Sequence, residues 1–415
     1  MTWAVRERAP TWYNDLGDAA QGMSTDRFSY LEFGEEEGPA PDRTLREDAP
    51  EPTPREIAAE RLEDGTALAE VRVTDPRGYR LSEKAREDEE DGVVSLSSLA
   101  VPKPGAPPKL RVTEVFGARG AGAGEFGYPA GMAVDSGGVL FVADSYHHRL
   151  QRITPGGGVA VIGGRGVGRG QFGSPQGVAT DEEDSFYVIE QGNGRVQKFT
   201  REGVLSLVFG KPGKGEGELN GPTALAVAPG SGDIFVADTG NSRIQRFSYE
   251  GRFLGVLGAT SLYGPGLSSP QALAAAPGGG LYAADTGGGY VVGFDPLRRP
   301  ARQIGGTRTR GGANEMIPLS LHQPRALALD PAGLLYVADG GEPDPITGET
   351  RGRVQCLSLA DGSVLATLEK IGRSLGTLLR PGGLAVSPAS GGGHARGDLY
   401  VADTMNHRIL RFVWS

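Results

Sequence analysis

From residue 111 onward the chain repeats one pattern six times: a proline shortly before a short apolar strand, a second strand ending in Ala-Asp or a close variant, and a third strand starting near an arginine. The anchoring prolines are Pro129, Pro175, Pro222, Pro270, Pro324 and Pro381, spaced 46, 47, 48, 54 and 57 residues apart. A helical repeat of this length would show apolar residues at a 3.6-residue period, which these segments lack. A unit of this length made of short strands is a propeller blade instead. The 67 glycines fit this reading, because they cluster between the apolar runs of the repeats, where tight turns join short strands. The expected fold is all-β: a six-bladed β-propeller over 111–415.

Within each unit the strands have distinct compositions. The first strands, such as Gly131-Met132-Ala133-Val134 and Ala326-Leu327-Ala328-Leu329, are built of small residues, which suits strands crowding a central channel. The second strands, such as Ile234-Phe235-Val236-Ala237-Asp238, carry β-branched and aromatic residues and are expected to pack between blades. The sixth unit ends after its third strand, while Arg111 to Gly117 matches the fourth strands of later units yet precedes the first. That segment is expected to complete blade six and so close the ring. Without it two strand edges would stand open.

The turns after the second strands read Asp-Ser-Tyr-His-His-Arg-Leu at 144–150, Asp-Thr-Gly-Asn-Ser-Arg-Ile at 238–244 and Asp-Thr-Met-Asn-His-Arg-Ile at 403–409. This pattern resembles the signature of NHL repeats. Three units depart from it: Glu190 replaces the aspartate, Gly289-Tyr290 replaces Asn-His-Arg, and an insertion separates Asp339 from Arg353. The pairs Asp144 and Arg149, Glu190 and Arg195, Asp238 and Arg243, and Asp403 and Arg408 recur once per blade. A structural role is therefore expected, the carboxylate capping the turn and the guanidinium bridging strands or blades.

The resemblance implies three further chemistries. One six-bladed NHL relative is a lyase with histidine-bound zinc, and the histidines here are His147, His148, His322, His394 and His407. Of these only His322 adjoins an inner strand. Lactonase-like propellers hold calcium on inner-strand Glu, Asn and Asp, but the inner strands here are apolar or small, and Asp135, Asp181 and Asp330 at their far ends are read as turn initiators. Other NHL propellers bind RNA on a basic face. The expectation is no cofactor, no metal and no catalytic residue.

Charge divides the chain. Residues 1–110 carry 24 of the 51 acidic and 14 of the 42 basic side chains, which leaves the remainder close to neutral and without a broad basic surface for nucleic acid. This leader is rich in Pro, Glu and Asp, includes the run Glu87 to Asp91, and is expected to be irregular apart from one short helix over about 54–64, started by the capping box Thr53-Pro54-Arg55-Glu56. Its first 33 residues hold Trp3, Trp12, Tyr13, Phe28, Tyr30 and Phe33, aromatic anchors suited to a partner or to the propeller itself. The single cysteine, Cys356, excludes an internal disulfide and points to a reducing compartment. No signal-peptide or membrane-length apolar stretch occurs, so a cytoplasmic protein is expected, with a cytoskeletal or ciliary assembly as one setting. The expected function is a non-catalytic protein-binding scaffold without a small-molecule substrate. Its partner-binding candidates, besides the leader aromatics, are Arg298, Arg299, Arg302, Arg308 and Arg310, and Glu342 and Asp344 in the inserted turn.

Overall fold

In the computed structural model the described residues are 109–258, 266–306, 319–330, 332–340, 352–360, 362–368, 378–388 and 396–414, with the backbone alone of 72–74 and 315–317. The leader aromatics, the helix expected at 54–64, Arg308, Arg310, Glu342 and Asp344 lie outside them.

Six antiparallel sheets follow one another along the chain, each ordered from an inner to an outer strand. Blade one comprises Pro129–Val134, Leu140–Asp144, Arg149–Ile153 and Val159–Ile162. Blade two comprises Pro175–Thr180, Phe186–Glu190, Arg195–Phe199 and Leu205–Phe209. Blade three comprises Ala224–Val227, Ile234–Asp238, Arg243–Phe247 and Phe253–Leu257. Blade four comprises Pro270–Ala275, Leu281–Asp285, Tyr290–Phe294 and Pro300–Ile304. Blade five comprises Pro324–Leu329, Leu334–Asp339, Arg353–Ser358 and Val364–Leu368. Blade six comprises Pro381–Val386, Leu399–Asp403 and Arg408–Trp414.

The outer strand of blade six is Leu110–Phe116, antiparallel to Arg408–Trp414 with Phe116 opposite Ile409 and Leu110 opposite Trp414. This is the closure expected from the sequence. Beyond it, Arg72–Thr74 adds a parallel strand against Glu114 to Phe116, inside the segment expected to be irregular. Blade four gains a parallel strand in the same way, Glu315–Ile317 beside Arg302 to Ile304.

The core lies between blades. Among the described residues six apolar clusters are found, and each joins two neighbouring blades. Between blades one and two, Phe141 stacks on Phe186 at 4.6 Å, and Phe186 stacks on Phe199 at 5.0 Å. Second strands such as Leu140–Asp144 are buried at every position because both sheet faces are covered, whereas outer strands such as Leu205–Phe209 retain exposed residues. The linker after each outer strand sends one apolar side chain back under it. Gly163, at φ +76°, ends the outer strand of blade one where an added Cβ would meet the Phe172 ring at 2.3 Å, so only glycine fits.

Chain direction fixes the two faces of the ring. Linkers and second-to-third turns share one, called here the linker face; first-to-second turns lie on the other.

Candidate functional site

The carboxylate ending each second strand is fully buried, and such a charge is tolerated only when every lone pair is engaged. In blade one, Asp144 Oδ1 accepts the Gly127 N–H at 2.7 Å, and Oδ2 accepts Arg149 Nε at 2.7 Å and the Gln151 amide at 3.3 Å. The Asp144 carboxylate also meets His147 Nδ1 at 2.9 Å. Arg149 spends its remaining N–H groups on the carbonyls of Ala121, Gly122 and Glu125, at 2.6, 2.8 and 2.8 Å. Gln151 accepts the Gly124 N–H at 2.7 Å and donates to Glu125 O. Carboxylate, guanidinium and amide thus clasp the linker that enters their own blade.

The clasp recurs. Glu190, Arg195 and Gln197 hold the next linker through Gly173, Gly168 and Gly170, the longer glutamate being accommodated in place of aspartate. Asp238, Arg243 and Gln245 hold the third through Asn220, Gly215 and Gly217. In blade six Asp403 pairs with Arg408 at 3.0 Å and accepts the Leu379 N–H. All four expected pairs are brought together, each joining the second and third strands of its blade. Each carboxylate meets the third residue of its own turn, His147, Asn193, Asn241 or Asn406, and beyond the expectation it also receives the linker's N–H, while the guanidinium in blades one to three holds that linker.

Two features of the clasp escaped the sequence reading. Asp339 and Arg353 pair at 3.0 Å across the inserted turn. The glutamines were missed as well, although their signal was present as Arg-x-Gln at 149–151, 195–197, 243–245 and 353–355. Blade four replaces the arginine by Tyr290, and there Asp285 accepts the N–H groups of Ser268 and Ser269.

The residue before the arginine reaches the following blade. His148 and His407, at φ 54°, accept through Nδ1 the N–H groups of Ser174 at 2.9 Å and Tyr128 at 3.2 Å. Burial first, then Arg165 beside His148 and Arg119 beside His407, hold both imidazoles below their ordinary pKa, which keeps the neutral acceptor form. In blade three the Ser242 hydroxyl plays this part by donating to Ser268 O at 2.7 Å.

On the opposite face, Asp135, Asp181 and Asp330 accept the N–H groups of their own turns, as expected. A cavity of about 660 Å³ opens there among Asp181, Glu183, Tyr187, Lys198, Gly230 and Pro388. Its carboxylates brace their own blade and its neighbours. Asp181 meets the Tyr187 hydroxyl at 2.9 Å and Lys198 at 3.1 Å, and Glu182 accepts the Gly230 N–H at 3.2 Å. Asp184 accepts the N–H and hydroxyl of Ser136, each at 2.8 Å, and the N–H holds its carboxyl below the usual range.

The arginines of blade four are dispersed. Arg298 lies over the Phe235 ring at 4.6 Å and donates to Gly279 O, Arg299 pairs with Asp295 at 2.7 Å, and Arg302 donates to Leu359 O at 2.6 Å in blade five. The Cys356 thiol is buried and pushed up to about 12 by that burial, which suits a packing residue rather than a nucleophile. Trp414, unremarked in the sequence, donates to the Tyr336 hydroxyl at 2.8 Å and ties the last strand to blade five.

The NHL repeat profile matches residues 126–153 and 219–247, which span the clasped turns of blades one and three. No curated protein matches the chain. Among solved structures, a Bacteroides thetaiotaomicron protein of unknown function aligns with a TM-score of 0.51 at 15% identity, over 74% of this chain and 76% of its own. Virginiamycin B lyase from Staphylococcus aureus aligns with a TM-score of 0.47 at 12% identity, over 74% and 88%. A gluconolactonase from Xanthomonas campestris aligns with a TM-score of 0.49 at 15% identity, over 76% and 97%. The chain therefore carries NHL repeats, and its described residues form a six-bladed β-propeller.

Proposed function

We propose that the protein is a non-catalytic interaction scaffold whose propeller presents its linker face to a protein partner, while the acidic leader serves as an extended docking strap. The observation that carries this reading is the engagement of the recurrent polar groups. In blades one to three every clasp carboxylate, guanidinium and amide holds a linker, so the chemistry of that face fixes loop shape. Rigid loops of fixed shape on a closed ring suit recognition, since little conformational freedom is lost on binding. No helix among the described residues is long and apolar enough to cross a membrane. A large cytoskeletal or ciliary assembly is a setting in which ring and strap would both be used.

The test is affinity capture with the full chain followed by cross-linking, together with elemental analysis of the purified protein. The expected result is a reproducible partner cross-linked to linker-face residues, without stoichiometric metal. Stoichiometric zinc or calcium with turnover of a lactone or peptide substrate would replace the scaffold with a metal-dependent hydrolase or lyase.

A further inference from the structure

The linker face is not uniform around the ring. Two residues beyond the clasp carboxylate, at the tip of the turn, stand Gly192, Gly240 and Gly287 in blades two, three and four, but Tyr146 in blade one and Met405 in blade six. Blades one and six are neighbours across the point where the ring closes. Tyr146 is 66% exposed and Met405 40% exposed. Tyr128 lies edge-on to Tyr146 at 6.0 Å and to His407 at 4.9 Å, and His407 belongs to the same turn as Met405. A shelf of aromatic and thioether surface therefore spans this one blade junction.

Cations flank the shelf. Arg119 lies in the linker entering blade one, and Arg165 and Arg169 lie in the linker entering blade two, on either side of Val167, which is 78% exposed. All three arginines are exposed, and none forms an ion pair with a carboxylate among the described residues. Large apolar side chains beside arginines are the composition of a binding hot spot. The apolar part of the shelf would receive a side chain, and the guanidiniums would receive carboxylates in charge-assisted hydrogen bonds.

We propose that the linker face at the junction of blades six and one docks an acidic polypeptide segment, whose apolar or aromatic anchor seats on Tyr146, Tyr128 and Met405 while its carboxylates face Arg119, Arg165 and Arg169. This names the partner class for the scaffold reading and rests on it. A peptide fits better than a nucleic acid strand, because the cations are few, are interrupted by Val167, and belong to a propeller close to neutral overall.

The test is fluorescence anisotropy with the full chain and a labelled peptide of Asp and Glu residues around a central Phe-Leu pair. The variants are Tyr146→Ala with Met405→Ala, Arg165→Glu with Arg169→Glu, and Arg252→Glu on the opposite face as a control. Circular dichroism establishes that each is folded. The expected result is a loss of about tenfold or more in affinity for each linker-face variant and no change for the control. Unchanged affinity in both linker-face variants overturns the site. Displacement of the peptide by a single-stranded RNA oligonucleotide at lower concentration overturns the choice of ligand. Partner cross-links confined to the opposite face, around Glu183 and Tyr249, overturn the docking site and leave the scaffold reading standing.

Discussion

Arg243 leaves only 14% of its side chain exposed and holds a carboxylate, Asp238, that is not exposed at all. Removing the cation leaves a buried charge with too few donors, so Arg243→Met is expected to cost about 3–5 kcal/mol, read from the urea midpoint. Adding Asp238→Leu should recover part of that loss, since the stranded charge is gone. Arg299→Ala, at an exposed pair, should leave the midpoint unchanged. The histidines give a second residue-level prediction. His148 and His407 have folded pKa values below the reference 6.5, so the unfolded chain binds their protons first. Their contribution is complete above 6.5 and is lost as pH falls through the folded values. Arg165 and His147 act with burial on His148, and Arg119 and His147 on His407, outweighing the opposing pull of Asp144 and Asp403 on His407. The urea midpoint is expected to fall between about pH 7 and about pH 5, and to fall less in His148→Asn with His407→Asn, because asparagine tolerates positive φ and carries its own acceptor. At this scale the sequence was half legible. Charge pairs five residues apart announce themselves; Asp339 and Arg353, separated by an inserted turn, do not.

Strands were legible where composition and burial agree. Leu140–Asp144 and its counterparts are continuous apolar runs because both of their faces are covered, and the chain must say so in side chains. The third strands hid their meaning. Gln151, Gln197 and Gln245 sit mid-strand, where a polar residue in an alternating pattern reads as facing solvent. They are fully buried, because a linker crosses over them and supplies the bonds, and the position of that linker is a tertiary fact. Linkers were seen as glycine-spaced, but their plugs, Phe126, Phe172 and Leu219, became meaningful only once Gly117, Gly163 and Gly210 were found beneath them. Gly163→Ala is expected to destabilise by at least about 1–2 kcal/mol, since it meets both a positive φ and the Phe172 ring. If the thermal midpoint of this variant equals that of the parent chain, the plug is not held by the strand end.

Closure is the one property that belongs to the whole ring, and it was readable because Leu110–Phe116 repeats the pattern of outer strands that come later in the chain. It joins residues nearly 300 positions apart, so the ring is completed only after all six blades exist. Trp414 reports on that junction. It lies at the end of the third strand of blade six, is 7% exposed, and donates to Tyr336 in blade five. In the intact chain each blade is covered by its neighbours, so Trp414 fluorescence, read in a Trp3→Phe, Trp12→Phe background, and far-ultraviolet circular dichroism should unfold together. Val115 faces Leu410 across the closing strand and packs against the cluster joining blades five and six. Val115→Asp places a charge in that contact and should release the strand first. The fluorescence transition in urea is then expected to precede the circular dichroism transition, because the strand next to Trp414 opens while the other blades still cover one another. Coincident transitions in this variant would mean that the closing strand contributes nothing separable, and that the ring is held by its blade-to-blade clusters alone.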